Sequence, residues 1–316
     1  MILELCEEAQ DFGRSALGAI EAAGGDRLVQ AAEADPAQRQ AAIEPVLAGL
    51  GAWQLEPRRN LEEMEAAAAL CRSAGHWALP YPVAARLCRP AAGDFDGLLV
   101  VSDVEPAAPV AGLGLRWAAA GLDGQGYAAT ARPAPAAPRR SAFVTRLDLQ
   151  PAARVDTADL ALALTLPCWT LLGMLDRAMA LTCAYVLERQ QFGQPLASFQ
   201  GVQFQLTDAE VERVGVEELA KYALWSIESG RPDAVDDALA LRAAAVEAAE
   251  IVFRVAHQLH GAIGFCDETT ISWMSRYSAP LRRLPLGLTA TRTELTRRLG
   301  RQGLAGLFSS PSSTSQ

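Results

Sequence analysis

The chain has 316 residues, about twice the ~150 of a typical domain, so two or three domains are expected. Half of the residues are hydrophobic, which excludes a mainly disordered protein. With 28 basic against 37 acidic residues the net charge is -9, and this gives no support for a nucleic-acid partner, because neutralising phosphates needs a basic surface. Alanine-rich runs such as LRAAAVEAA favour a mainly α-helical protein.

The cysteines and the apolar windows bear on location. Six cysteines occur without a CxxC pair, as expected for reduced thiols in a cytoplasmic protein. The acidic start MILELCEEAQ does not have the pattern of a secretory signal. The most apolar window, Leu160 to Leu175, is interrupted by Pro167 and falls short of the ~20 residues that span a bilayer. We therefore expect a buried helix, a cytoplasmic chain and no membrane association.

The predicted elements divide the chain into four regions. Residues 1–88 have helical periodicity and predict an N-terminal helical domain. Residues 89–153 hold short apolar runs between Gly- and Pro-rich pieces, which predict a reduced β-domain of four to six strands. Trp117 in this region is expected to be a core residue. Residues 154–302 predict a C-terminal four-helix bundle, and residues 303–316 a disordered tail. The four bundle helices are predicted near 158–190, 199–229, 234–264 and 267–299.

Two segments of the bundle carry candidate chemistry. Arg189 ends a long helix and is followed by Phe192, Gly193 and Pro195 in a turn. Arginine binds phosphate through two nitrogens and an aromatic ring can stack on a base, but a C-terminal arginine is also favoured by the helix dipole. The second segment, QLHGAIGF, ends a helix on glycine, which permits close approach of another molecule and is also a common helix ending.

Two histidines precede that glycine. His257 and His260 lie one helical turn apart, which is a spacing that two metal ligands can share. No carboxylate on the same turn completes such a site. We therefore expect no metal.

Three segments resemble the acyl-CoA dehydrogenase family. RQQFGQPLASFQGVQFQLTDAEVE is similar to its RxxFGxxLxxFQxxQxxLADM segment, and VAHQLHGAIGFCDETTISWMSRYSAPLRRL to its QxxGGxGF…YRDA segment. LEEMEAAAALCRSAGHWALPYPVAARL resembles the family's N-terminal helical domain, and the three occur in the family's order. The resemblance implies a helical domain, a small β-domain and a C-terminal bundle that builds the oligomer.

The resemblance also implies an FAD site shared at a subunit interface. Arg189 would contact the pyrophosphate of FAD and Phe192 would pack near its adenine. The remaining positions implied to be near the cofactor are Gln191, Leu196, Gln258, Gly261, Ala262 and Gly264. Ala262 stands where the family has its second glycine, a departure that would loosen the backbone approach.

The chain departs from the family at the catalytic base. The family removes the α-proton of an acyl-CoA with a Glu, and alignment places Gly287 at the usual Glu position. In members that carry the base on the first bundle helix, the corresponding position is Ala163. We therefore expect no catalytic residue in this chain. Asp159, one turn earlier, is an alternative base only if the register shifts. The flavin-lining segments of the family's β-domain are not recognisable either.

These departures lead to one expectation and two alternatives. The chain resembles the non-catalytic subunit of α2β2 acyl-CoA dehydrogenases that act on steroid side-chain CoA thioesters. A catalytic partner would supply the Glu and bind most of the acyl-CoA, and electron-transferring flavoprotein is an acceptor that the resemblance allows. The alternatives are a homotetrameric acyl-CoA dehydrogenase with a displaced base, and a helical scaffold without flavin.

Overall fold

The computed structural model describes residues 4–91, 93–132 and 143–300. Five helices precede the first strand: Glu7–Ala22 (α1), Asp26–Ala34 (α2), Arg39–Gly49 (α3), Leu61–His76 (α4) and Val83–Leu87 (α5). The side chain of Asn60 accepts a hydrogen bond from the N–H of Glu63 and so begins α4. Small residues bring α1 against α4, since a Cβ on Gly13 would lie 3.2 Å from the Cβ of Ala69.

A five-stranded sheet follows these helices. Its strands are Gly97–Val100 (β1), Ala107–Ala108 (β2), Trp117–Ala120 (β3), Gly126–Ala131 (β4) and Thr145–Ala152 (β5). The order across the sheet is β1-β3-β4-β5-β2, with β1 parallel to β3 and the other pairs antiparallel. Trp117 is 2% exposed in the apolar cluster under the sheet, as predicted.

The central helix of the molecule is Thr157–Glu188 (α6). It begins where the side chain of Asp156 accepts a hydrogen bond from the N–H of Ala158. Pro167 lies inside this helix and does not end it, so the helix predicted near 158–190 is confirmed. By length and composition alone α6 could cross a membrane, but 78% of its most apolar window is buried within the molecule. This is the burial expected of a core helix.

The helices after α6 differ from the prediction at two places. They are Gln200–Glu228 (α7), Ala234–His260 (α8), Thr270–Arg283 (α9) and Leu288–Leu299 (α10). The third predicted helix ends at His260 because Gly261 has a φ of 65°, outside helical geometry. The prediction of a single fourth helix over 267–299 is wrong, because this region forms two helices. Leu284 is extended, and Pro285, which lacks an N–H, separates α9 from α10. The predicted disordered tail lies outside the described residues.

Helices α4 and α6 cross at backbone contact. A Cβ on Gly75 would lie 1.8 Å from the carbonyl oxygen of Thr170, and one on Gly173 would lie 1.9 Å from the carbonyl oxygen of Arg72. Each helix therefore presents a glycine to a carbonyl of the other. Nothing larger than hydrogen fits at either position, so the crossing point is specified from both sides.

Charged side chains surround this crossing and connect it to α7. The guanidinium of Arg72 donates to Asp176 at 2.6 Å and to Glu217 at 2.7 Å. Arg213 bridges the same two carboxylates at 2.9 Å each. Burial on its own would raise the pKa of Glu217, but the hydrogen bonds and charges of Arg72 and Arg213 together hold this pKa below its usual range. The network fixes α6 against α4 and α7 in a single arrangement.

Candidate functional site

A tight hairpin follows the last turn of α6. Residues Gln190–Gln191 pair with Gln194–Pro195, and the two residues between them, Phe192 and Gly193, have φ of 54° and 82°. Positive φ at both central positions defines the hairpin turn whose twist matches its strands. A bulky residue in this conformation is unusual, and the ring of Phe192 is 91% exposed. Its edge contact with Phe199, at 6.2 Å between ring centroids, does not cover it.

Arg189 combines a fixed backbone with an unengaged side chain. Its N–H donates to the Tyr185 carbonyl at 2.9 Å, and its own carbonyl accepts from the N–H of Leu196 at 2.8 Å. Its side chain is exposed, and within the described part of the chain no hydrogen bond or ion pair involves the guanidinium. Gln191 is also exposed, and Leu196 is half-buried beneath the hairpin. The guanidinium is therefore available to an anionic group from outside.

The turn after α8 provides the second half of the candidate site. Gly261, in the left-handed region, starts the short 3-10 helix Gly261–Phe265. A Cβ on Gly261 would meet no atom within 4 Å, so a ligand could approach its backbone freely. Gln258 and Ala262 are exposed as well. Because Ala262 is exposed, its extra methyl group lies on the surface that the family's second glycine would leave bare.

Gly264 differs from Gly261 in its surroundings. It is buried, and a Cβ there would lie 2.9 Å from the Cβ of His260. Its lack of a side chain allows the turn to fold back onto α8. Its place near the cofactor stays a prediction.

Two ring stacks hold this region together, one between the ends of α6 and α8 and one between α8 and the turn that follows it. The rings of Tyr185 and His260 stack at 4.4 Å between centroids, and those of His257 and Phe265 at the same separation. Burial lowers the pKa of both histidines, so both are neutral at pH 7. The structure thus brings Arg189 and Gly261 to adjacent helix ends that share one aromatic contact. The spacing of motifs alone did not reveal Tyr185 as a contributor.

One of the two positions that correspond to the family's base, Ala163, borders an apolar cavity. Ala163 is 7% exposed and lines a cavity of about 140 Å³ between the helical domain, the sheet and the bundle. Leu284 and Pro285 line the same cavity, just before Gly287. Among the residues that the structure describes, no Asp or Glu lines it. The described lining of the cavity therefore offers no carboxylate.

Asp159, the alternative base, lies apart from this cavity. It lines a separate polar cleft, where its carboxylate lies 3.0 Å from Nε of Arg58. Burial raises the pKa of Asp159, and the positive charge of Arg58 opposes this. Asp159 lies one helical turn before Ala163, so it lines this cleft and not the apolar cavity that Ala163 lines.

A further surface was not anticipated from the sequence. Exposed apolar side chains follow one face of α7 at Phe204, Val211 and Leu219, a spacing close to two helical turns. Ile263 and Phe265 add apolar area at the turn after α8, with 48% and 68% exposure. This pattern on two neighbouring bundle elements is typical of a surface that another protein covers. Within residues 4–91, 93–132 and 143–300, no three His, Cys, Asp or Glu side chains are grouped as metal ligands.

Comparison with known proteins matches the bundle to a known family domain. Residues 154–295 match the family domain described as acyl-CoA dehydrogenase, C-terminal domain. Acryloyl-CoA reductase (NADH) of Anaerotignum propionicum is 30% identical over 105 residues, which are 33% of this chain and 26% of that protein. Acyl-CoA dehydrogenase FadE28 of Mycobacterium tuberculosis is 33% identical over 125 residues, 39% of this chain and 36% of that protein. The chain thus matches only about a quarter to a third of the length of these relatives.

Solved structures extend the likeness to the whole fold. The Tcur3481–Tcur3483 steroid ACAD superposes with a TM-score of 0.76 at 22% identity, over 93% of this chain and 98% of that one. The ChsE4–ChsE5 complex from Mycobacterium tuberculosis gives 0.69 at 18% identity, over 95% and 99%. Butyryl-CoA dehydrogenase from Megasphaera elsdenii gives 0.71 at 15% identity, over 95% and 100%. The chain has the acyl-CoA dehydrogenase fold, as predicted.

Proposed function

We propose that this chain is a non-catalytic subunit of a heteromeric, FAD-dependent acyl-CoA dehydrogenase. Its residues 154–295 match the C-terminal domain of acyl-CoA dehydrogenases. One observation carries this proposal. The two base positions are occupied by Ala163, which lines a cavity without a carboxylate among the described residues, and by Gly287, while Arg189 stays exposed and unengaged at the bundle surface. The chain has kept a surface for a cofactor and lost the group that starts the reaction.

The residues at the bundle surface fit FAD. An exposed guanidinium at Arg189 suits a pyrophosphate, and the exposed ring of Phe192 offers a stacking surface for the adenine. The open backbone at Gly261 and the amide of Gln258 suit the phosphate and ribitol region. When bound, FAD supplies the hydride acceptor for the α,β-dehydrogenation of an acyl-CoA thioester.

A partner subunit would complete the enzyme. It would supply the Glu that removes the α-proton, the surface under the flavin ring and most of the acyl-CoA site. The exposed apolar face of α7 at Phe204, Val211 and Leu219 gives such a partner an area to bury. Two of the structural neighbours are themselves described as a steroid ACAD of paired components and as a two-component complex, which supports a heteromeric assembly.

The same comparison suggests the substrate class and setting. By analogy with the steroid ACAD, the substrate of the assembly is a steroid side-chain CoA thioester, held mainly by the partner. Electron-transferring flavoprotein is the proposed acceptor of the electrons, and the cytoplasm the proposed location. Each of these is tested separately from the division of labour between the subunits.

Expression with and without the partner tests the division of labour. The partner for this test is an acyl-CoA dehydrogenase homologue from the same organism that carries the intact Glu. This chain alone should be colourless and inactive, and the co-purified complex should be yellow and active. An active, flavin-containing oligomer of this chain alone would contradict the proposal, as would a stable complex without flavin.

Substitution of Arg189 tests the cofactor surface. Arg189→Ala should reduce the FAD content of the complex several-fold and leave its assembly intact, because it removes a charge-assisted contact to phosphate. Arg27→Ala is the matched control, since Arg27 is exposed on α2 and takes part in no ion pair among the described residues. Equal loss of FAD in both variants would show that the contact at Arg189 is not specific.

A further inference from the structure

The apolar cavity at Ala163 contains a buried cation that the proposed function does not use. Arg242 on α8 is 2% exposed and lines this cavity. Its Nη2 donates to the carbonyls of Leu284 and Leu286, each at 2.6 Å. Its Nε has no hydrogen-bond partner, and in the part of the chain that the structure describes no carboxylate pairs with the guanidinium. The positive charge of Arg242 is therefore buried without a counter-charge.

A second cation lines the same cavity. Arg39 on α3 is 1% exposed and donates to the carbonyls of Pro80 and Pro109 at 3.1 Å and of Ala111 at 2.5 Å. Burial lowers its pKa to about 10, so it remains charged at pH 7. The Nε of Arg39, like that of Arg242, has no hydrogen-bond partner. Backbone carbonyls use both Nη atoms of Arg39 but only Nη2 of Arg242, so Arg242 has more donors available to a ligand.

Two buried cations without a counter-ion are an energetic cost that an anion would offset. Removing a charge from water is expensive unless it is paired, and attraction between opposite charges is stronger in a low-dielectric interior. A bound anion would therefore gain from both arginines at once. Water alone does not supply this gain, because it carries no net charge.

The remaining lining of the cavity limits what kind of anion fits. Apart from the arginines and a few polar atoms it consists of aliphatic, proline and aromatic side chains, including Leu164, Met174 and Leu281. Its volume of about 140 Å³ is close to the ~150 Å³ of an apolar cavity that holds benzene. A small inorganic anion would leave most of this apolar surface without contacts.

We propose that this cavity is a binding site for a small apolar carboxylate, with the carboxylate on Arg242 and the hydrocarbon body against Ala163 and Leu164. The proposal does not depend on the FAD surface, since the two sites share no residue. The proposed ligand is a free acid, bound where the family has its catalytic base. Its carboxylate is negatively charged, whereas the thioester group of an acyl-CoA is neutral.

Benzoate and benzyl alcohol test the proposal because they have similar bodies and differ in charge. Calorimetric titration of the purified chain should give at least tenfold tighter binding of benzoate than of benzyl alcohol, and acetate should bind more weakly than benzoate because it lacks the apolar body. Equal binding of benzoate and benzyl alcohol, or no saturable binding of benzoate, would overturn the proposal.

Substitutions locate the site within the molecule. Arg242→Met should abolish the preference for benzoate, and Ala163→Leu, which fills the apolar part, should abolish binding of both compounds. Arg213→Met is the matched control, since Arg213 is a half-buried arginine in the ion-pair network outside the cavity. If Arg242→Met does not fold, Ala163→Leu alone decides: unchanged benzoate binding in that variant would place the anion elsewhere and overturn the proposal.

Discussion

Tyr185 and His260 stack face to face with their ring planes 19° apart, and this contact joins the end of α6 to the end of α8. The ring of His260 is held from the other side as well, because its Nδ1 lies 2.8 Å from the carbonyl oxygen of Ala256. Arg189 follows Tyr185 by one turn, and Gly261 follows His260 directly. This aromatic pair is therefore a direct contact between the two segments proposed to hold FAD, added to the packing of α6 on α8.

Removal of this ring should loosen both segments together. His260→Leu should increase hydrogen exchange of backbone amides in 188–196 and in 261–266, because an aromatic stack of this kind contributes about 0.5–1.5 kcal/mol beyond its buried area. His76→Leu is the matched control, since His76 also packs on an aromatic ring, Trp77, at 5.3 Å, but lies on α4. Faster exchange confined to 261–266 would mean that the stack does not couple the two helix ends.

The glycines at the crossing of α4 and α6 should not tolerate alanine. Gly173→Ala places a methyl carbon 1.9 Å from the carbonyl oxygen of Arg72, so the helices must separate, and we expect a loss of several kcal/mol in unfolding free energy. Gly18→Ala on α1 is the matched control. Nothing lies within 4 Å of its Cβ, so it should gain about 0.5–1 kcal/mol. Urea unfolding followed by circular dichroism gives both values.

The ion-pair network around Arg72 should contribute more to stability than a surface pair. Arg72→Met leaves Asp176 and Glu217 with one cation fewer in a half-buried setting, and we expect a loss of about 1–3 kcal/mol. Arg14→Met, which removes an exposed pair with Asp11, should cost less than about 1 kcal/mol. Equal losses in urea unfolding would mean that the network is no more than a set of solvated surface pairs.

The histidines should make the fold less stable as the pH falls. The chain has three, His76, His257 and His260, and burial lowers the pKa of each in the folded state. The unfolded chain then binds more protons, so their contribution is complete above about pH 6.5 and is lost as the pH falls below it, by at most about 1.4 kcal/mol per pH unit for each. Single His→Gln variants assign the three imidazole proton resonances. A resonance that titrates above 6.5 would contradict the lowered pKa of that residue.

Sequence periodicity predicted the helices well because their apolar faces are regular, and it was wrong where a single residue decided the outcome. The predicted helix near 158–190 is confirmed, and α6 continues through Pro167 because packing on both sides of a buried helix outweighs one lost hydrogen bond. Pro285 does end a helix, in a half-exposed segment where less packing opposes the break. The difference lies in the surroundings of each proline, which local pattern does not contain.

The candidate site was predictable only where it depends on local geometry. The exposed Phe192 turn and the open Gly261 follow from glycine and helix-end patterns within a few residues. The burial of Gly264 and the stack of Tyr185 on His260 depend on contacts within a folded turn and between helices 75 residues apart. Such contacts exist only once the bundle has assembled, so the pattern of the segment alone could not show them.

The reciprocal glycine contacts at Gly75 and Gly173 also limit how the chain can change in length. An inserted or deleted residue within α4 or α6 rotates everything beyond it by about 100° and shifts it by 1.5 Å, which would bring a side chain against a carbonyl. Insertions and deletions should therefore accumulate in the connecting loops and be missing from these two helices. The register of α4 against α6 is then the feature of the molecule that should change most slowly in evolution.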